Sequence, residues 1–376
     1  MRATQLVPPV PPVPGPAPLT SLDFAARAKA ALTPELWDWL EGGAEQELTL
    51  AANRAALDGV ALTPRVLNDV ALCDTSAVLL GQPAALPLAL APVAYQRLFH
   101  PDGELASARA AVSAGVPFCV STLSSTPLEQ LAATGAELWF QLYWLKDRGR
   151  VAELVGQAER AGCQAIVVTV DVPVMGRRLR DARNGFTLPT QVRAVLLGDT
   201  GPQLAHRRTA DTSAVAVHTA AAFSQSVTWQ DLRWLRERTE LPIVVKGVLH
   251  PQDAALAAEL GAAAVVVSNH GGRQLDRAPA SIAALPAVVE RLAGSDCQVL
   301  VDSGIRTGTD ILAALALGAS GVLLGRPAIW GLSADGADGA ARVLELLGAE
   351  LRHAMALSGC PDLPAARGLH TTALSG

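Results

Sequence analysis

The run Ser268-Asn269-His270-Gly271-Gly272-Arg273-Gln274 sets an imidazole and a guanidinium three residues apart on a turn that two glycines permit. A base so close to a carboxylate clamp suits removal of a proton from a substrate that itself carries a carboxylate. Asp171 follows the apolar run that starts at Ala165 and is the candidate partner for protonated His270, as a buried acid serves an imidazole in a triad. Its plainer alternative is an ion pair with Arg177 or Arg178. Metal ligation is a poor account of the histidine, because the sequence has no HxH, no HExxH and no neighbouring carboxylate at ligand spacing.

Lys246 stands out by rarity. Lysine occurs only at Lys29, Lys146 and Lys246, so of 30 cationic side chains the other 27 are arginines. Placed after Ile243-Val244-Val245, its ammonium reads as a Schiff-base nucleophile or as a fixed positive charge beside a cofactor; the packing alternative is a lysine that merely snorkels. Asp302-Ser303-Gly304-Ile305-Arg306 and Gly325-Arg326-Pro327 combine open backbone N–H groups with guanidiniums, which is what a phosphate site at barrel strand ends needs. That phosphate suits a substrate as well as a cofactor.

The elements that must carry these residues repeat one unit from residue 87 onward. Apolar runs predict strands over Pro87–Tyr95, Pro117–Thr122, Leu138–Trp144, Ala165–Val172, Pro242–Val248, Ala264–His270, Gln298–Ile305 and Gly321–Arg326. Amphipathic stretches between them predict helices, among them Gly103–Ala114, Arg148–Ala161, Trp229–Thr239, Pro251–Leu260, Ser281–Leu292 and Thr307–Leu317. Gly115, Gly162, Gly261 and Gly318 stand where helices should stop. Eight such units in about 250 residues predict an α/β fold, the (β/α)8 TIM barrel. A doubly wound open sheet is the rival, but no GxGxxG follows the first strand. Residues 20–70 read as an N-terminal helical extension with a start at Thr33-Pro34-Glu35, residues 186–227 as a long loop covering the site after strand four, and Ala337–Leu357 as the closing helix. Polar residues then end six different strands, a convergence that packing does not explain.

Composition narrows the classes. The 376 residues carry a formal net charge of −5 with 17% charged residues, which implies no basic surface for nucleic acid. Five scattered cysteines without a CxxC pair argue against a disulfide framework and suit a reducing, cytoplasmic setting. Two uncharged stretches, Ala3–Leu22 and Thr75–Gln96, are interrupted by prolines and are not membrane helices. Residues 1–20 read as a proline-rich disordered tail, leaving 21–370 as one barrel domain.

In order along the chain, Ala91-Pro92-Val93-Ala94, Phe140-Gln141-Leu142-Tyr143, Thr169-Val170-Asp171, Val245-Lys246-Gly247, Ser268–Gln274 and Asp302–Arg306 resemble the FMN-dependent α-hydroxy acid oxidase and dehydrogenase family. Within it, Tyr95-Gln96-Arg97-Leu98-Phe99-His100, Thr122-Leu123-Ser124-Ser125 and Val172–Arg178 are most similar to the branch acting on 4-hydroxymandelate. The resemblance implies FMN as cofactor, a small (S)-2-hydroxy acid as substrate, O2 as electron acceptor with hydrogen peroxide as product, and a homotetramer. It implies His270 as base at the substrate's α-carbon or hydroxyl, Asp171 as its stabiliser, Arg273 and Arg178 on the substrate carboxylate, and Tyr143 on a substrate oxygen. Lys246 would stand beside the N1 edge of the flavin. Pro92, Val93, Ala94, Ser121, Gln141, Thr169 and Ser268 would surround the ring, and Asp302, Gly304, Arg306, Gly325 and Arg326 the ribityl chain and phosphate. Two positions depart from glycolate oxidase: Trp39 replaces a tyrosine and Leu123 a tryptophan. Both changes suit an aryl substrate such as mandelate; Trp39 also reads as core packing. Lactate- or glycolate-type oxidation and, more remotely, a Schiff-base lyase using Lys246 are the alternatives.

Overall fold

The computed structural model describes residues 16–198 and 222–373. Eight parallel strands close into a barrel in sequence order: β1 (Leu88–Leu90), β2 (Phe118–Ser121), β3 (Leu138–Leu142), β4 (Ala165–Thr169), β5 (Ile243–Val248), β6 (Ala264–Val267), β7 (Gln298–Val301) and β8 (Gly321–Leu324), with β8 pairing back onto β1. Their residues are almost all buried, as expected of strands covered by side chains inside and helices outside. Each predicted strand exists, and most stop two to five residues earlier than the apolar run suggested. The ladder ends where the chain turns outward, so most of the polar residues read as strand ends sit at the start of βα loops. Glycines 115, 162, 261 and 318 all hold positive φ behind helices, as expected.

Three N-terminal helices precede the barrel: α1 (Ser21–Ala31), α2 (Pro34–Glu41) and α3 (Leu48–Asp58). A capping box of Thr20 with Asp23 starts α1, and Thr33 caps α2 with Pro34 in its first turn. A hairpin of Ala77–Leu79 and Gln82–Ala84 closes the opposite end of the barrel, where Leu80 N donates to Gln298 Oε1 at the foot of β7. Non-helical dihedrals at Asp335 and Gly336 divide the helical span Arg326–Leu357 in two, so the closing helix begins at Ala337 as expected and a further helix, starting at Arg326, precedes it; together they pack on α1 and the Glu104–Ala114 helix.

Of the predicted tail, residues 1–15 lie outside the described residues, as do 199–221 of the long loop after β4. The two described arms of that loop pack inward through Phe186 and Phe223, both buried. All five cysteines are free. Among the described residues no helix is long and apolar enough to cross a membrane.

Candidate active site

The parallel register sets Thr169 of β4 beside Lys246 of β5. The Lys246 ammonium is buried, donates to Ser268 Oγ at 3.0 Å and pairs with Asp302 Oδ2 at 2.9 Å. Burial opposes a charge there, but Asp302 and then Asp171 outweigh it and hold the lysine above its ordinary range. An ammonium so held is a fixed positive charge and a poor nucleophile. The next residue, Gly247, has φ +107°, and a Cβ on it would lie 2.6 Å from Asp171; only glycine lets the aspartate approach.

Asp171 Oδ1 meets His270 Nδ1 at 3.0 Å, whereas Arg177 turns away to Glu45 at 3.2 Å. With Nδ1–H donating to the carboxylate, Nε2 is the ring's free acceptor. Burial lowers the imidazole below its ordinary range despite Asp171, so the resting residue is a neutral base. Burial would raise the Asp171 carboxyl, but His270 and Lys246 outweigh it and keep it ionised. His270 itself has φ +60°, a conformation that costs a non-glycine residue free energy and recurs at functional turns. Gly271 follows at φ +67° and makes room for Arg326 Nη1, which would lie 2.8 Å from any Cβ added there.

Arginines converge on the other side. Arg273 donates through Nη1 to the carbonyls of Gly42 at 2.8 Å and Leu40 at 3.2 Å, and through Nη2 to Trp39 at 2.9 Å. Arg326 Nε donates to the Leu40 carbonyl at 3.0 Å. These carbonyls end α2, where the helix supplies no partner and its dipole favours cations. The N-terminal extension therefore holds the arginines in the barrel mouth. Three of the five N–H groups of Arg273 are spent this way, leaving two for a ligand. Arg178 is buried, and its Nε has no partner among the described residues. Burial and then Arg178 and Arg326 push Arg273 far down; burial and then Arg326 do the same to Arg306. Cations disfavoured by burial and by one another fit anions that would enter between them.

One pocket gathers most of the expected residues. Trp39, Leu123, Tyr143, Arg178, His270 and Arg273 line it together with Pro92, Val93, Ala94, Ser121, Thr169 and Lys246. Asp302, Gly304, Arg306, Gly325 and Arg326 line its other end. Three expected residues stand behind the wall and brace it. Asp171 holds His270; Gln141 Nε2 donates to Thr169 Oγ1 at 3.0 Å; and Ser268 Oγ accepts from Lys246 Nζ and from His270 N. Trp39 does both things the sequence allowed, packing against Phe99 and Phe186 at 5.7 and 5.8 Å between ring centroids while lining the pocket.

Sequence reasoning missed Tyr95, Met175 and Phe223. Phe223 stacks on Tyr143 at 4.6 Å and 24°, and no periodicity marks it, because it arrives on an irregular arm of the long loop. Tyr95 lay in a motif quoted for resemblance alone.

The pocket fits the cofactor that the resemblance implies. Arg306 and Arg326, half-buried and with the Arg326 charge disfavouring that of Arg306, stand beside Gly304, at φ +97°, where they could hold a phosphate, and Lys246 could stand against a ring that gains negative charge.

The family model described as FMN-dependent dehydrogenase matches residues 28–371. The chain is 54% identical to a 4-hydroxymandelate oxidase of Amycolatopsis orientalis over 349 residues, covering 93% of this chain and 97% of the relative. It is 46% identical to an L-lactate oxidase of Nostoc sp., covering 92% and 96%. A crystal structure of a mandelate oxidase with (S)-4-hydroxymandelic acid superposes with a TM-score of 0.92 at 53% identity, covering 95% and 99%.

Proposed function

The chain belongs to the FMN-dependent dehydrogenase family, and from that premise we propose that it oxidises an aryl (S)-2-hydroxy acid, 4-hydroxymandelate or mandelate, to the 2-oxo acid while O2 becomes H2O2. One observation carries this reading: an imidazole oriented by Asp171 faces the same pocket as Arg178 and Arg273.

FMN, when bound, supplies the acceptor for the two electrons that leave the substrate and the route by which they reach O2. Arg306, Arg326, Gly304 and Gly325 would hold its phosphate end, with Lys246 and Ser121 at its ring. Arg178 and the two unspent N–H groups of Arg273 bind the substrate carboxylate and so fix the α-carbon. His270 Nε2 takes the proton from the substrate, and the Asp171 carboxylate stabilises the imidazolium that results. Tyr143 bonds a substrate oxygen, and the Tyr143–Phe223 stack keeps its ring in place. Lys246 remains protonated against Asp302 throughout, which removes the nucleophile that a Schiff-base lyase would need.

The aryl choice rests on Trp39 and Leu123, which line the pocket together with Tyr95, Met175 and Phe223, with Phe99 and Phe186 packed on the Trp39 ring; this is more apolar surface than a methyl group would cover. The catalytic unit spans 21–370. A homotetramer belongs to the same reading, supported by Val66, Leu67 and Leu72, which expose apolar surface on one loop. A cytoplasmic location is supported by the five free cysteines. Peroxide and 2-oxo acid production, compared for (S)-mandelate, (S)-4-hydroxymandelate, L-lactate and glycolate, tests the assignment. The aryl acids should lead in kcat/KM, and a lead for lactate would return the lactate-type alternative.

A further inference from the structure

The pocket wall holds a polar group that the reaction above leaves unused. Tyr95 lines the pocket, is 1% exposed, and its hydroxyl is buried with no hydrogen-bond partner among the described residues. A phenylalanine would fill the same space without burying an unpaired oxygen, so the hydroxyl works against folding unless a ligand completes it.

The backbone points the same way. Tyr95 sits at φ +55° and ψ +48°, which a bulky aromatic residue rarely adopts. Its N–H donates to the Leu123 carbonyl at 3.0 Å, and its own carbonyl accepts from Leu98 N at 2.9 Å. The strained tyrosine is thus tied to the residue expected to open room for an aryl ring. Burial, with Tyr143 nearby, pushes its phenol above the ordinary range, so it stays a neutral O–H that can donate one bond and accept others. Trp39 Nε1 and Arg178 Nε are the other partnerless polar atoms among the described pocket-lining residues, but both can only donate, and the Arg273 guanidinium lies 5.5 Å over the Trp39 ring. That indole suits the carboxylate end. Tyr95 suits a hydroxyl.

We propose that Tyr95 is a specificity-determining residue whose hydroxyl pairs with a hydroxyl on the substrate's aromatic ring, so that the site prefers hydroxyaryl 2-hydroxy acids over bare phenyl ones. The inference rests on the aryl reading above and sharpens it. The test measures kcat/KM of the FMN-loaded enzyme and of Tyr95→Phe on (S)-4-hydroxymandelate, (S)-mandelate and (S)-4-methylmandelate, the last matching the hydroxyl in size without its hydrogen bond. The wild type should favour the hydroxy acid over both others, and Tyr95→Phe should cut that preference roughly 10–100-fold, chiefly through KM. FMN content of the variant should equal that of the wild type. A preference that survives Tyr95→Phe, an equal loss on all three acids, a 4-methyl substrate handled as well as the 4-hydroxy one, or loss of FMN would each overturn the inference alone. A wild type inert toward all three would overturn the functional reading and the inference together.

Discussion

Asp171→Asn isolates the link between the barrel's charge arrangement and its chemistry. The substitution keeps the shape of the side chain while removing the charge that meets His270 Nδ1 at 3.0 Å. A hydrogen bond to a charged group contributes about 1.5–3 kcal/mol, and here nearly all of it falls on the imidazolium, because the neutral ring gains little from the carboxylate's charge. At about 1.36 kcal/mol per pKa unit, the His270 pKa should fall by roughly 1–2 units. The sign follows from the role. His270 acts in its neutral form, so kcat/KM rises with pH as the imidazolium loses its proton, and a lower pKa moves that acid limb to lower pH. The same change makes the base weaker, so the plateau should drop about 10–150-fold. Measuring kcat/KM by peroxide release between about pH 4 and 9 reads both effects from one profile. An acid limb that stays in place or moves upward, or a plateau equal to that of the wild type, would refute the reasoning.

Other consequences are as direct. Leu123→Trp should refill the aryl space and shift the mandelate-to-lactate ratio of kcat/KM toward lactate by roughly 30–150-fold, the equivalent of about 2–3 kcal/mol of ring burial, in steady-state assays. Arg306→Leu should weaken FMN retention by about 10–150-fold, the loss of one charge-assisted phosphate contact, as read by flavin fluorescence titration of the apoprotein. Lys246→Met leaves the buried Asp302 without its cation and should destabilise the apoprotein by roughly 3–5 kcal/mol in urea titration.

The barrel was legible because its strands are short, continuous apolar runs punctuated by glycines at helix ends, and both signals come from local physics. The machinery was legible for the same reason: His270, Lys246, Asp302 and Arg306 stand within a few residues of strands that the pattern locates. The sequence reading extends strands too far where apolar residues continue past the last paired position, as Ala91–Ala94 do after Leu90 and Val170 and Val172 after Thr169, and only ladder geometry shows where pairing stops. What sequence could not reveal are contacts between distant segments. The carbonyls of α2 that anchor Arg273 lie more than 200 residues from it, and nothing local marks them. Phe223 packs on Tyr143 from the far arm of an irregular loop, and the unpaired hydroxyl of Tyr95 shows only once every neighbour is placed.

The most direct test of the central claim is anaerobic mixing of the purified, FMN-containing protein with (S)-4-hydroxymandelate, (S)-mandelate and L-lactate while flavin absorbance is followed. The account predicts rapid bleaching by the two aryl acids, slower bleaching by lactate, and return of the yellow colour with stoichiometric hydrogen peroxide when air is admitted. A flavin that keeps its colour with every acid, or that lactate bleaches fastest, would contradict it.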